Sequence, residues 1–219
     1  MISADSIVLL SGGLDSTANL AMACDEGKKP LCLTIRYGQR AEHSEIRATR
    51  KLIEYYGATH EIIDLGWLGH MGGSSLTDSA RTIPTIKTSE LDTKSVTETT
   101  AKSVWVPNRN GIFIEIAGAI ADSRKISSIY VGFNAEEAVT FPDNSTAYMN
   151  AINQALSFST SNQARVESYT HTMTKREIVA KLKQLKKPFP FELVWSCYFS
   201  GEKACGTCES CQRYSRAVS

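Results

Sequence analysis

An apolar, β-branched run, Ser6 to Leu10, ends abruptly at Ser11-Gly12-Gly13, and Leu14 to Glu26 then carries Ala, Leu and Met at helical spacing. A buried strand feeding a helix through two adjacent glycines admits few folds. The next elements repeat the rhythm. Pro30 to Ile35 reads as a second strand, Ser44 to Tyr56 as an amphipathic helix ending at Gly57, and His60 to Leu65 as a third strand. Strands alternating with helices at this spacing predict βαβ units on a parallel sheet. Asn108 to Arg124 follows as a helix, Ser128 to Phe133 as a strand and Tyr148 to Phe158 as a helix. Arg165 to Thr170 completes five strands, and Thr174 to Lys187 is a basic helix stopped by Pro188. The expected fold class is therefore α/β, a five-stranded parallel sheet with helices on both faces. Residues 66 to 105 break the rhythm. Roughly half of 74 to 103 is Ser or Thr, so an irregular excursion or lid is expected there.

The 219 residues suffice for one α/β body with a short accessory element, here taken as 1–190 and 191–219. With 24 Lys and Arg against 23 Asp and Glu, the net charge is +1. That excludes binding driven by a large basic field and gives no strong nucleic-acid signal. No apolar run approaches the ~20 residues of a membrane span, and the start has no cationic leader pattern, so a soluble, cytoplasmic protein is expected.

The turn at 11–16, Ser-Gly-Gly-Leu-Asp-Ser, is the candidate anion site. Its glycines let backbone approach a ligand closely, and the helix behind them offers free N–H groups and a positive dipole end. Ser11 and Ser16 add hydroxyls, and Asp15 can hold Mg²⁺ against a polyphosphate. The pattern is neither that of kinase-type NTPases nor that of dinucleotide folds. It resembles the signature of the PP-loop ATP pyrophosphatases, which cleave ATP between its α and β phosphates and adenylate a substrate oxygen.

Four of the six cysteines, Cys197, Cys205, Cys208 and Cys211, crowd the C-terminal stretch with seven, two and two residues between them. Four thiolates complete a tetrahedral Zn²⁺ shell with no open position, which makes such a site structural. An iron–sulfur cluster is the competing reading. Cys24 and Cys32 sit in apolar segments and read as core residues.

With these cysteines, further motifs bring nearly the whole chain into register with one branch of that family. They are Tyr37-Gly38-Gln39-Arg40, Val106-Pro107-Asn108-Arg109-Asn110, Val131-Gly132-Phe133-Asn134, Thr174 to Ile178 and Trp195-Ser196-Cys197-Tyr198. The chain resembles the 7-cyano-7-deazaguanine synthases. The resemblance implies the fold of the adenine nucleotide alpha hydrolases with a zinc-bound four-cysteine element. It also implies a C–N ligase acting on ATP, ammonia and 7-carboxy-7-deazaguanine. ATP and pyrophosphate would sit on Leu10, Ser11, Gly12, Gly13, Asp15 and Ser16. Asp15, Lys175 and Arg109 would be catalytic, Lys175 and Arg109 by charge on phosphate or carboxylate oxygens. Tyr37, Gln39, Arg40, Asn110 and Asp143 would hold the substrate, Asp143 on the N–H edge of a guanine-like base. Asn144 and Ser145 stand where the family usually carries Cys-Arg, and Ala41 where it tends to carry His. A paralogue that stops at the amide, or passes the acid to a macromolecular amine on a protein acceptor, therefore stays open beside the nitrile synthase. A homodimer is compatible with either. A tRNA-modifying relative would show a basic appendage, and none is seen. A non-catalytic nucleotide-binding module would have no need of Asp15, Lys175 and Arg109.

Overall fold

The structure is a computed structural model that describes residues 4–219; the first three residues of the expected 1–190 body lie outside it. Strands β1 (Ser6–Leu9), β2 (Pro30–Arg36), β3 (Thr59–Asp64), β4 (Ser128–Tyr130) and β5 (Arg165–Glu167) form one sheet in the order β3-β2-β1-β4-β5. Every pairing is parallel. The expected sheet is present. Because β2 lies on one side of β1 and β4 on the other, the topology reverses beside β1. A crevice opens at such a switch point, outside the carboxyl ends of the strands.

Both sheet faces are covered, which explains why β1 is apolar throughout rather than alternating. Ile7, Ile129 and Val166 face Ile114, Ala117, Ala121 and Leu156 of helices α5 (Arg109–Arg124) and α7 (Thr146–Ser159). On the other face, Val8 and Cys32 pack with Leu20 of α1 (Leu14–Asp25). Outside that layer, Ala18 and Met22 of α1 meet Ile178 and Val179 of α8 (Lys175–Leu182) and Ala217 of α9 (Glu209–Val218). The 191–219 segment thus shares the body's core. α2 (Glu42–Tyr56) packs beside β2 and β3. No helix among the described residues is long and apolar enough to cross a membrane.

Three elements end three or more residues short of the sequence reading. β4 and β5 are three residues each, shorter than 128–133 and 165–170. Past Val131 the chain leaves the ladder because Gly132 abuts the 11–16 turn; a Cβ there would lie 2.5 Å from the Ser16 nitrogen. Beyond β5, Ser168 and Thr170 instead hold the Phe133 carbonyl through their hydroxyls, at 3.4 and 2.6 Å. α8 begins in a capping box of Thr174 and Glu177 but ends at Leu182. The following turn is drawn to α1, where the Lys186 N–H donates to Asp25 at 2.9 Å.

The 66–105 stretch is not irregular throughout. It holds α3 (Gly66–Gly69) and an eleven-residue helix, α4 (Lys94–Val104). α4 is rich in Thr, and the hydroxyls of Thr97, Thr99 and Thr100 bond back to carbonyls three or four residues earlier. That accommodation hides a helix from a composition-based reading. Sparse apolar residues anchor the stretch: Leu68, Leu76, Ile83 and Val104 pack against Cys197, Cys208 and Cys211.

Candidate active site

At the switch point lies a cavity of about 240 Å³. Leu9 and Leu10 from the end of β1, Leu33 and Ile35 from β2, and Val131 to Phe133 after β4 supply its base. Ser11, Gly13, Asp15 and Ser16 form one wall. The turn holds itself together: Ser16 Oγ accepts from the Ser11 N–H at 3.2 Å and donates to the Gly13 carbonyl at 3.2 Å. Gly12 has φ +84°, a conformation that favours glycine, and backs onto α2. The start of α1 leaves N–H groups of the kind that bind anions.

Lys175, the first residue of α8, reaches this wall. Its buried ammonium pairs with Asp15 and, at 2.9 Å, with Glu137 on α6 (Ala135–Ala138). Burial works against the charge, but the two carboxylates outweigh it and hold the lysine above its ordinary range. Two carboxylates around one ammonium leave a net negative charge beside an anion cradle. Asp15 Oδ1 is buried without a hydrogen-bond partner among the described residues. An unpaired carboxylate oxygen here suits a divalent cation carried in with a polyphosphate.

Glu137 was missed by the sequence reading. Its signal was Asn134, whose side chain caps α6 by accepting the Glu137 N–H at 2.9 Å. The neighbouring Glu136 turns the other way. It accepts the Lys175 N–H at 2.8 Å and pairs with Arg213 at 3.2 Å and Arg216 at 3.0 Å. Adjacent acids thus tie the site on one side and α9 on the other.

The facing wall is polar and aromatic. Arg109, at the start of α5, directs Nη1 to the Tyr37 hydroxyl and Nε to Asn110 Oδ1, both at 3.4 Å. Tyr37 packs on Phe113, with ring centroids 5.5 Å apart. Gln39 and Glu45 lie beside them. Asn144, noted in the sequence only as a departure, also lines the cavity. Asp143 sits next to it, outside the lining, where burial pushes its carboxyl up against the pull of Arg109. Arg40 is turned away. Its guanidinium lies over the Phe199 ring at 4.7 Å and donates to the Arg81 carbonyl at 2.9 Å, so it clamps the excursion to the C-terminal segment.

That segment closes the cavity. Trp195, Ser196, Cys197 and Tyr198 line it; of these the sequence reading gives a role only to Cys197, as a metal ligand. The Trp195 N–H donates to the Gly12 carbonyl at 2.8 Å, and the Leu14 N–H donates to Ser196 Oγ at 3.4 Å. Behind it, one ligand atom from each of Cys197, Cys205, Cys208 and Cys211 lies within 4.8 Å of the others. Backbone N–H groups of Phe199 and Cys205 point at Cys197 Sγ, and that of Cys208 at Cys205 Sγ, at 3.3 to 3.4 Å. Gly206, at φ +74°, makes the turn between the paired ligands. Four sulfurs so grouped and so hydrogen-bonded fit a tetrahedral, thiolate-bound cation.

The family model described as "Queuosine biosynthesis protein QueC" matches residues 5–219, which takes in both the 11–16 turn and all four clustered cysteines. The chain belongs to the QueC family. It is 47% identical to the 7-cyano-7-deazaguanine synthase of Desulforamulus reducens over 97% of its own length and 92% of that protein's. The synthases of Pelotomaculum thermopropionicum and Methanosarcina mazei are each 45% identical over 97% of this chain, and it spans 96% and 92% of theirs. QueC relatives therefore match the body, the excursion and the cysteine segment together.

Proposed function

We propose that this protein is an ATP-dependent ligase that converts 7-carboxy-7-deazaguanine and ammonia to 7-cyano-7-deazaguanine. The observation that carries the reading is the single cavity in which a phosphate-type turn faces an arginine–tyrosine–asparagine wall. A carboxylate is a poor electrophile, and adenylation gives it a good leaving group. The protein must hold the triphosphate, align the acid with the α-phosphate and offset charge on departing pyrophosphate.

Ser11, Gly13 and Ser16, with the N–H groups opening α1, cradle the phosphates; Leu10 and Gly12 support the turn. Asp15 and Glu137 would hold Mg²⁺, which supplies positive charge to the phosphate oxygens when bound. Lys175 then has a cationic role on the same oxygens. Arg109 binds the acid's carboxylate through its fork and is held in place by Tyr37 and Asn110. Asn144 offers its amide to the base, Asp143 acts at the same end through Asn144, and Gln39, whose amide is taken up by Tyr37, Ile35 and Glu45, holds the loop that presents Tyr37. Cys197, Cys205, Cys208 and Cys211 hold one structural Zn²⁺, which shapes the cavity wall and takes no part in bond making.

The test is mass spectrometry of products after incubation with ATP, ammonia and 7-carboxy-7-deazaguanine, alongside pyrophosphate release. The nitrile is expected. Accumulation of the amide, or of a conjugate on added protein, would assign the paralogue reading, and absence of acid-dependent pyrophosphate release would overturn both.

A further inference from the structure

The cavity contains one carboxylate that the roles above leave unused. Glu45 lies in the first turn of α2, where Glu42 also sits, and the two acids have opposite surroundings. Glu42 turns toward the end of β2 and pairs with Arg36 at 2.9 Å. Glu45 turns inward, lines the cavity, and has its own carbonyl against Gly12 of the phosphate turn. Asp15 and Glu137 share Lys175, whereas Glu45 forms no ion pair among the described residues.

Its orientation is fixed by Gln39. The Gln39 Oε1 accepts the Tyr37 N–H at 2.8 Å, and its Nε2 donates to the Ile35 carbonyl at 3.2 Å and to Glu45 Oε2 at 2.8 Å. The amide cannot flip without setting oxygen against oxygen, so Oε2 stays committed. Oε1 has no hydrogen-bond partner among the described residues. Gln39 thereby acts as a positioning residue for a carboxylate whose second oxygen is free to take a proton.

We propose that Glu45 accepts the proton released when ammonia attacks the activated acid, a step that rests on the ligase reading above. The nitrogen lone pair forms the C–N bond. The C–O bond to the adenylate phosphate breaks with its electron pair going to AMP. One N–H proton passes to Glu45 Oε1 and from there to solvent, leaving the neutral amide. The groups facing Glu45 are Gln39 and Tyr37 from the loop after β2, Arg109 from α5 and Glu42 from its own helix. Burial raises its carboxyl to about 7, against the pull of Gln39 and Arg109. It is therefore ionised, and competent as a base, above neutral pH, and loses that competence as pH falls through about 7.

The experiment separates the two halves of the reaction. Acid-dependent exchange of pyrophosphate into ATP reads adenylation, and amide or nitrile formation at constant free ammonia reads the attack. Glu45→Gln should lower the second about 10²- to 10⁴-fold, the usual contribution of a general base, while exchange falls far less. Hydroxylamine, a nucleophile with little need of a base, should restore acyl transfer in the variant, and Glu45→Asp should recover part of the ammonia rate. Wild-type attack should weaken on acidification through neutrality, and Glu45→Gln should lose that limb. Equal loss of exchange and attack, no rescue by hydroxylamine, or a flat wild-type profile overturns the proposal. If wild-type protein shows exchange but makes no amide or nitrile, the ligase reading itself has failed, a separate outcome.

Discussion

Two sides of the cavity, the 11–16 turn and the segment that closes over it, are held by different means. On one side, residues 11–16 form a turn whose hydrogen bonds run among themselves, between Ser11, Gly13 and Ser16. On the other, residues 195–198 have no regular structure between a short 3₁₀ turn at Phe191–Leu193 and α9. They are placed by thiols at 205, 208 and 211 and by the excursion, where Thr85 bridges to Cys208 and the Ile86 N–H donates to the Thr207 carbonyl at 3.2 Å. The first wall is fixed by local backbone chemistry and the second by partners distant in sequence. Yet they share bonds, through Trp195 and Ser196. Disturbing the distant wall should therefore be felt at the local one.

Removing the metal ligands makes the strongest test of that dependence. On the proposed zinc site, Cys208→Ser should lower zinc content and cost on the order of 4–5 kcal/mol or more of stability, the scale of losing a structural metal. Nucleotide affinity should fall with zinc content across a chelator titration. If calorimetry finds ATP affinity unchanged as zinc leaves, the walls are independent. Next in size is Lys175→Ala, which strips the cation from Asp15 and Glu137. Pyrophosphate release should drop about 10²- to 10³-fold, the scale of losing one charge-stabilising donor, with zinc content normal. Gly132→Ala perturbs the local wall from behind. Its methyl would sit 2.5 Å from backbone, where nothing flexible can yield. Overpacking of this kind costs about 1–3 kcal/mol, read by thermal melting, and ATP binding should weaken with it. The smallest effect belongs to Arg40→Ala. Its ring contact and carbonyl bond are surface ties worth about 0.5–1 kcal/mol, so melting should shift slightly while substrate KM stays near wild type. A large KM effect would return Arg40 to the cavity.

These contrasts also explain what could be read from the chain beforehand. β1 and β2 were legible because burial on both faces imprints apolar runs, and α2 because its polar and apolar positions recur at helical spacing and Gly57 ends it at φ +67° as a left-handed cap. The 11–16 turn was legible because one contiguous segment makes it. Lys175 was found, but its partner Glu137 was not. Glu136 and Glu137 look alike in sequence, and only the tertiary packing decides which faces the cavity. Tyr37, Gln39 and Arg40 form one motif, but Tyr37 and Gln39 line the cavity while Arg40 is drawn to the Phe199 ring and the Arg81 carbonyl. Tyr198 and Ser196 were overlooked because the cysteine between them claimed the whole motif.

The bonds from Trp195 and Ser196 to the phosphate turn also order events during synthesis. Ser196 meets the Leu14 N–H across 182 positions of sequence. A ribosome that has finished all five strands has therefore made the turn but not yet the segment that braces it. Chains emerge N-terminus first and fold as they do so, so the 11–16 turn stays without its brace through most of translation. The brace is completed only once the segment that carries Trp195 and Ser196 has emerged. A chain cut short before residue 195 would therefore carry the whole sheet and an unbraced turn.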